Sequence, residues 1–214
     1  MPGTFNGTTL TISATPVDHA LIPDEGATHV AGIAIVGSDM YCVKTTGLKT
    51  TLLKTTDYMA TKATAVKKDL NWFALGLTKI GNYLYMLAED HKGYGGSTTI
   101  VKLDTKGNQL GTYSINEICP KGALGITAAD GTNEKFIIMH YADKSNAGTL
   151  AFSVVDWKAA EAASTFTVTN SGFGYTTRLQ DIYYHTSFGL FILTNNTFST
   201  LQNRILVVDY HLTD

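Results

Sequence analysis

From residue 29 onward the chain alternates short apolar runs with breaks that contain Gly, Asp, Asn or Ser. The runs are too short for helices with a buried stripe and are rich in β-branched and aromatic residues, so they predict strands. One element recurs, a β run that ends in Asp: Thr50 to Asp57, Thr99 to Asp104, Leu150 to Asp156 and Arg204 to Asp209. Its four aspartates are 47, 52 and 53 residues apart. A repeat of that length with several strands per unit has the period of a propeller blade.

Each unit can be filled in around that element. A first strand begins beside a small residue: Ala31-Gly32-Ile33, Leu75-Gly76-Leu77 and Leu124-Gly125-Ile126, with Gln180-Asp181-Ile182 as the copy that lacks glycine. Small residues suit a strand that must converge with its neighbours on a narrow axis. Turns at Gly37-Ser38-Asp39, Gly81-Asn82, Asp130-Gly131-Thr132 and His185-Thr186-Ser187 lead into second strands beginning at Met40, Tyr83, Phe136 and Leu190. These second strands are almost continuously apolar, as expected when both faces are packed. The Asp-ended third strand follows, then a polar outer strand such as Gln109 to Ser114 or Ser164 to Val168. Only Asp156 to Ala163 has helical composition, which predicts a turn or two of helix within a loop.

These readings predict an all-β chain forming one small β-propeller domain over residues 1–214. Its four blades of four antiparallel strands fall near 29–66, 71–114, 122–168 and 179–214. The last unit has no outer strand of its own, and Thr8 to Ala14 is an alternating strand without a unit. Residues 8–14 are therefore expected to complete the last blade, which would remove two exposed sheet edges. The alternatives are a cryptic fifth blade and an open arc completed by a second chain.

Composition changes the picture in two ways. The 214 residues carry 16% charged side chains and a net charge of -2, with only Arg178 and Arg204 as arginines, which argues against a nucleic-acid partner. Threonine makes up the difference at 32 residues, a texture that suits exposed strands and leans toward an extracellular or virion-surface setting. Met1 to Ala14 shows no basic or apolar leader pattern, and no apolar run is long enough to span a membrane, so no membrane insertion is expected. Cys42 and Cys119 form no framework and no metal spacing, and read as two free, half-buried thiols.

The third-strand endings Val154-Val155-Asp156 and Val207-Val208-Asp209, each followed by a polar turn, resemble NHL-type and related β-propeller repeats. The resemblance covers about residues 29–214 and implies the propeller fold. The Gly-His and Trp-Asp pairing of WD40 arrays and the paired glycines of kelch blades are missing. No family site carries over, and the fold by itself assigns no function.

In a propeller, the loops from second to third strands share one rim with the loops between blades. On that rim the sequence gathers Trp72, Asp90, His91, Tyr94, His140, Tyr141, Asp143, Tyr175, Arg178, Asn195 and Asn196. Aromatic faces beside amides and carboxylates suit recognition of a glycan or a protein surface. The leading expectation is therefore a non-enzymatic ligand-recognition module. A small hydrolase or lyase is the alternative, with His91 and Asp90, or His140 and Asp143, as a base and its orienting carboxylate, or Glu89 and Asp143 as a carboxylate pair. A structural oligomer subunit is the third reading. No cofactor and no metal are expected, because neither His91 nor His140 has a second ligand at helical or strand spacing.

Overall fold

A computed structural model describes residues 3–5, 10–12, 29–56, 63–90, 97–130, 133–142, 149–157, 161–169, 177–196 and 204–212. A short hairpin, β1 (Gly3–Phe5) and β2 (Leu10–Ile12), precedes four antiparallel sheets. The first sheet is β3 (His29–Val36), β4 (Asp39–Thr46), β5 (Lys49–Thr55) and β6 (Thr64–Leu70). The second is β7 (Trp72–Ile80), β8 (Tyr83–Asp90), β9 (Thr98–Leu103) and β10 (Gln109–Ser114). The third is β11 (Ala123–Asp130), β12 (Lys135–Tyr141), β13 (Thr149–Asp156) and β14 (Glu161–Thr169). The fourth is β15 (Thr177–His185), β16 (Gly189–Asn196) and β17 (Arg204–Val208). Strands within each sheet follow chain order, and the first strands β3, β7, β11 and β15 adjoin one another around an axis. The molecule is a four-bladed β-propeller.

Apolar second strands explain how the blades stack. Residues alternate sides along a strand, so each central strand presents one apolar row to the blade before it and another to the blade after it. Tyr41, Val43 and Leu52 of the first blade meet Leu77, Met86 and Val101 of the second. Tyr85, Leu87 and Ile100 meet Ile126, Phe136 and Ile138. Ile137, Met139 and Phe152 meet Ile182, Leu190 and Ile192.

The glycines expected near the axis sit where adjacent first strands come closest. A Cβ on Gly32, whose φ is +63°, would lie 2.1 Å from the backbone nitrogen of Leu77. One on Gly76 would lie 3.1 Å from Ile126, and one on Gly125 3.3 Å from Asp181 and 3.4 Å from the nitrogen of Ile182. A bulge interrupts the ladder between first and second strands in every sheet, and these glycines lie at or beside it in three of them.

Threonine has a second use besides the exposed strands. Thr50 Oγ1 accepts from Ala74 N at 3.3 Å, Thr78 Oγ1 from Ala128 N at 3.1 Å, and Thr127 Oγ1 from Tyr184 N at 3.1 Å. Each bond reaches from one blade to the first strand of the next and satisfies a backbone donor there.

Three expectations meet a different structure. Asp156 to Ala163 contains no helical turn among its described residues: Glu161 and Ala162 pair with Asp156 and Val155 in the β13–β14 ladder. Pairing with a packed strand outweighs the helical preference of alanine. β6 runs to Leu70 and β7 begins at Trp72, so the connection expected over 67–70 between the first two blades is strand, with a single residue between the two. Leu10–Ile12 pairs with Gly3–Phe5, and among the described residues β17 pairs only with β16. A partner a few residues away closes a far smaller loop than one at the far end of the chain.

Candidate functional site

Strand registers place the rim. Trp72 opens β7 opposite Asp90, and Asp90 N donates to Ser97 O at 3.2 Å across the loop of residues 91–96. In the third blade Ala123 lies opposite His140, and Tyr141 N donates to Gly122 O at 3.3 Å. In the fourth, Thr177 and Arg178 lie opposite Asn196 and Asn195. Trp72, Asp90, His140, Tyr141, Arg178, Asn195 and Asn196 therefore occupy the same end of their blades. His185 and the other first-to-second turns lie at the opposite end. His91, Tyr94, Asp143 and Tyr175 lie outside the described residues, and Arg178, Asn195 and Asn196 are placed by strand position alone.

The described side chains on this rim divide by what they touch. His140 is 5% exposed. Its Nδ1 lies 3.3 Å from the carbonyl of Tyr141, which can only accept, so Nδ1 carries the proton. Nε2, 2.9 Å from Ser153 Oγ, then accepts from that hydroxyl, and Ser153 Oγ accepts in turn from Thr165 Oγ1 at 3.0 Å. Burial lowers the pKa of His140, and the Tyr141 carbonyl opposes that shift. The ring is a neutral link across β12, β13 and β14, with both nitrogens used inside the blade.

Trp72 packs against the core between the first two blades, and its indole N–H donates to Gln109 Oε1 at 3.2 Å. Glu89 is 4% exposed, and its Oε1 would lie 3.8 Å from a Cβ on Gly122. Among the described rim side chains of the candidate set, Trp72, Asp90 and Tyr141 are half-buried and partly accessible. Among the described residues no three His, Cys, Asp or Glu side chains group as a metal site.

Two polar features escaped the sequence reading. Tyr85 donates through its hydroxyl to Glu134 Oε1, which also accepts from Lys102 Nζ. Burial, followed by Glu134, pushes the Tyr85 phenol far above its usual range, so it remains a donor. Glu134 belongs to the third blade, so the cluster ties it to the second. The two residues lie 49 positions apart, and no local motif announces such a pair. Asp181 stands where the other blades have glycine, and accepts from Ile182 N at 2.9 Å. Its only sequence signal was the break in the glycine repeat.

The fold is that of a four-bladed propeller with one polar and aromatic rim. No family model matches the chain, and no curated protein matches it. Solved structures do. The chain is similar to the glutaminyl cyclase of Myxococcus xanthus, with 13% identity and a TM-score of 0.50 over 84% of this chain and 74% of that one. It is similar to the hydrazine synthase of Kuenenia stuttgartiensis, with 12% identity and a TM-score of 0.48 over 78% of this chain and 44% of that one. BamB of Moraxella catarrhalis follows at 11% identity and a TM-score of 0.40, over 78% and 61%. At such identities the likeness is one of fold alone.

Proposed function

We propose that the chain is a non-enzymatic binding module that recognises a glycan or a protein surface with the rim carrying Asp90 and Tyr141. The observation that supports this reading is the register, which sets the polar and aromatic candidates of three blades at one end of the propeller. The buried, internally bonded His140 favours recognition over proton transfer at this end. A half-buried Tyr141 offers a flat face and a hydroxyl for directed hydrogen bonds.

The test is a glycan array run alongside a pull-down from candidate host material, followed by titration of any ligand found. Asp90→Ala and Tyr141→Ala are each expected to weaken binding about tenfold, equivalent to about 1.4 kcal/mol. Empty results from both screens, or a ligand whose affinity ignores both substitutions, would sink the reading.

A further inference from the structure

The first two blades carry corresponding residue pairs at their rim ends, and the two pairs meet different surroundings. In the first blade Thr45 and Thr50 lie opposite each other on β4 and β5, and both are fully buried. Their hydroxyls are 2.8 Å apart. Thr50 Oγ1 donates to Trp72 O at 2.7 Å and accepts from Ala74 N at 3.3 Å, which ties the first blade directly to the start of β7. In the second blade Glu89 and Thr98 lie opposite each other at the same places on β8 and β9. Residues alternate sides along a strand, so both project with Leu87 and Ile100 toward the third blade. Glu89 is 4% exposed and Thr98 is 0% exposed. Thr98 Oγ1 nevertheless has no hydrogen-bond partner, and it is the only such buried side-chain atom among the described residues.

The missing partner has a cause in the strand starts. Ala123 lies opposite His140 just before the bulge, as Ala74 lies opposite Ala88 in the blade before. β7 extends back to Trp72 and offers its carbonyl to Thr50, whereas β11 begins only at Ala123. The residues ahead of Ala123 are folded into turns, with Ile118 N and Cys119 N donating to Ile115 O and Gly122 N to Cys119 O. At the end of these turns Gly122 leaves space beside Glu89: within 4 Å a Cβ there would meet only Glu89 Oε1, at 3.8 Å. We propose that this space is a site for one bound water, which bonds to Thr98 Oγ1 and the Glu89 carboxylate and makes the tie that Thr50 makes directly. A buried hydroxyl without a partner is costly, whereas a water with two or more polar partners is retained as part of the structure. A carboxylate offers about four lone-pair positions, so Glu89 accepts from the water alongside its other contacts. The site lies inside the junction of the second and third blades and not on the rim surface, so it stands independently of the binding reading.

The experiment is Thr98→Val, which keeps the side chain's shape and removes its hydroxyl. Denaturant titration should show the folding constant reduced about tenfold, and oxygen-17 relaxation dispersion should show one long-lived internal water fewer than in the unmodified chain. A hydroxyl with no water beside it gives the opposite sign, because valine relieves its burial. A Thr98→Val variant as stable as the unmodified chain, or more stable, therefore overturns the proposal, and so does an unchanged number of long-lived waters. Should Thr98→Val fail to fold, a crystal structure of the unmodified protein decides. A water about 2.8 Å from both Thr98 Oγ1 and a Glu89 oxygen supports the site. Empty density there, or a metal ion at about 2.4 Å from these oxygens, overturns it.

Discussion

At the level of single residues, the axis and the thiols make the sharpest demands. Gly32 and Gly37 both have left-handed backbone, at φ +63° and +62°, but only Gly32 faces another strand. Gly37→Ala incurs the conformational penalty alone, about 1–2 kcal/mol. Gly32→Ala adds a clash with the Leu77 backbone and is expected to cost more than about 3 kcal/mol. Denaturant titration of the two variants checks this; equal losses would show that the close approach is not maintained. The thiols give a second prediction. Burial pushes Cys42 up to about 11 and Cys119 up to about 12, so both stay protonated at neutral pH. Neither should react with a thiol reagent at pH 8 in the folded protein, and both should react after denaturation. The sequence revealed the glycines because their repeat is regular. It assigned threonine to exposed strands and missed Thr78 and Thr127, because a hydroxyl that bridges blades looks locally like one on an open strand.

Between elements, stability depends on which blade-to-blade ties are buried. Tyr41, Lys54 and Asp39 lie at the same places in the first blade as Tyr85 and Lys102 do in the second, with Asp39 in the part of Glu134. The first group keeps its carboxylate in its own blade and is more open to solvent, whereas Glu134 comes from the neighbouring blade. Lys54→Ala should therefore lower the melting temperature less than Tyr85→Phe does. Tyr85→Phe removes the donor to a half-buried carboxylate and should cost about 1–3 kcal/mol. Thermal melts of the two variants would reverse this ranking if the tie between the second and third blades did not form. The recurring strands were readable because period and turn chemistry agree. The Asp that ends the third strand has a visible reason at Asp104, whose Oδ1 accepts from Lys106 N at 2.9 Å and Asn108 N at 2.8 Å to hold the turn. Asp156 to Ala163 misled because alanine propensity is local, whereas the partner that makes it a strand is the packed β13. His140 read as a rim base for a similar reason: its position in the chain is right for the rim, and only the ladder shows its ring turned onto Ser153.

For the molecule as a whole, the fourth blade sets the pH response through Asp181. Burial pushes its carboxyl up to about 7, against the Ile182 N–H, which lowers it, from an ordinary value of 3.8. Between those two values the folded chain holds a proton that the unfolded chain has released. Stability from this group is therefore complete below pH 3.8 and is lost as the pH rises through about 7. One pKa unit corresponds to about 1.4 kcal/mol, and the partial exposure of Asp181 reduces the realised loss to about 1–2 kcal/mol. Asp181→Asn keeps an acceptor for Ile182 N and removes the titration. Its unfolding free energy should exceed that of the unmodified chain at pH 8 by that amount, and the two curves should converge near pH 4. Parallel curves across this range would show that the carboxyl is solvated in the folded protein. A solvated carboxyl would in turn place the axis end of the fourth blade in open water and not against Gly125 of the third. The pH titration thus reports on the one blade whose axis position departs from the glycine repeat.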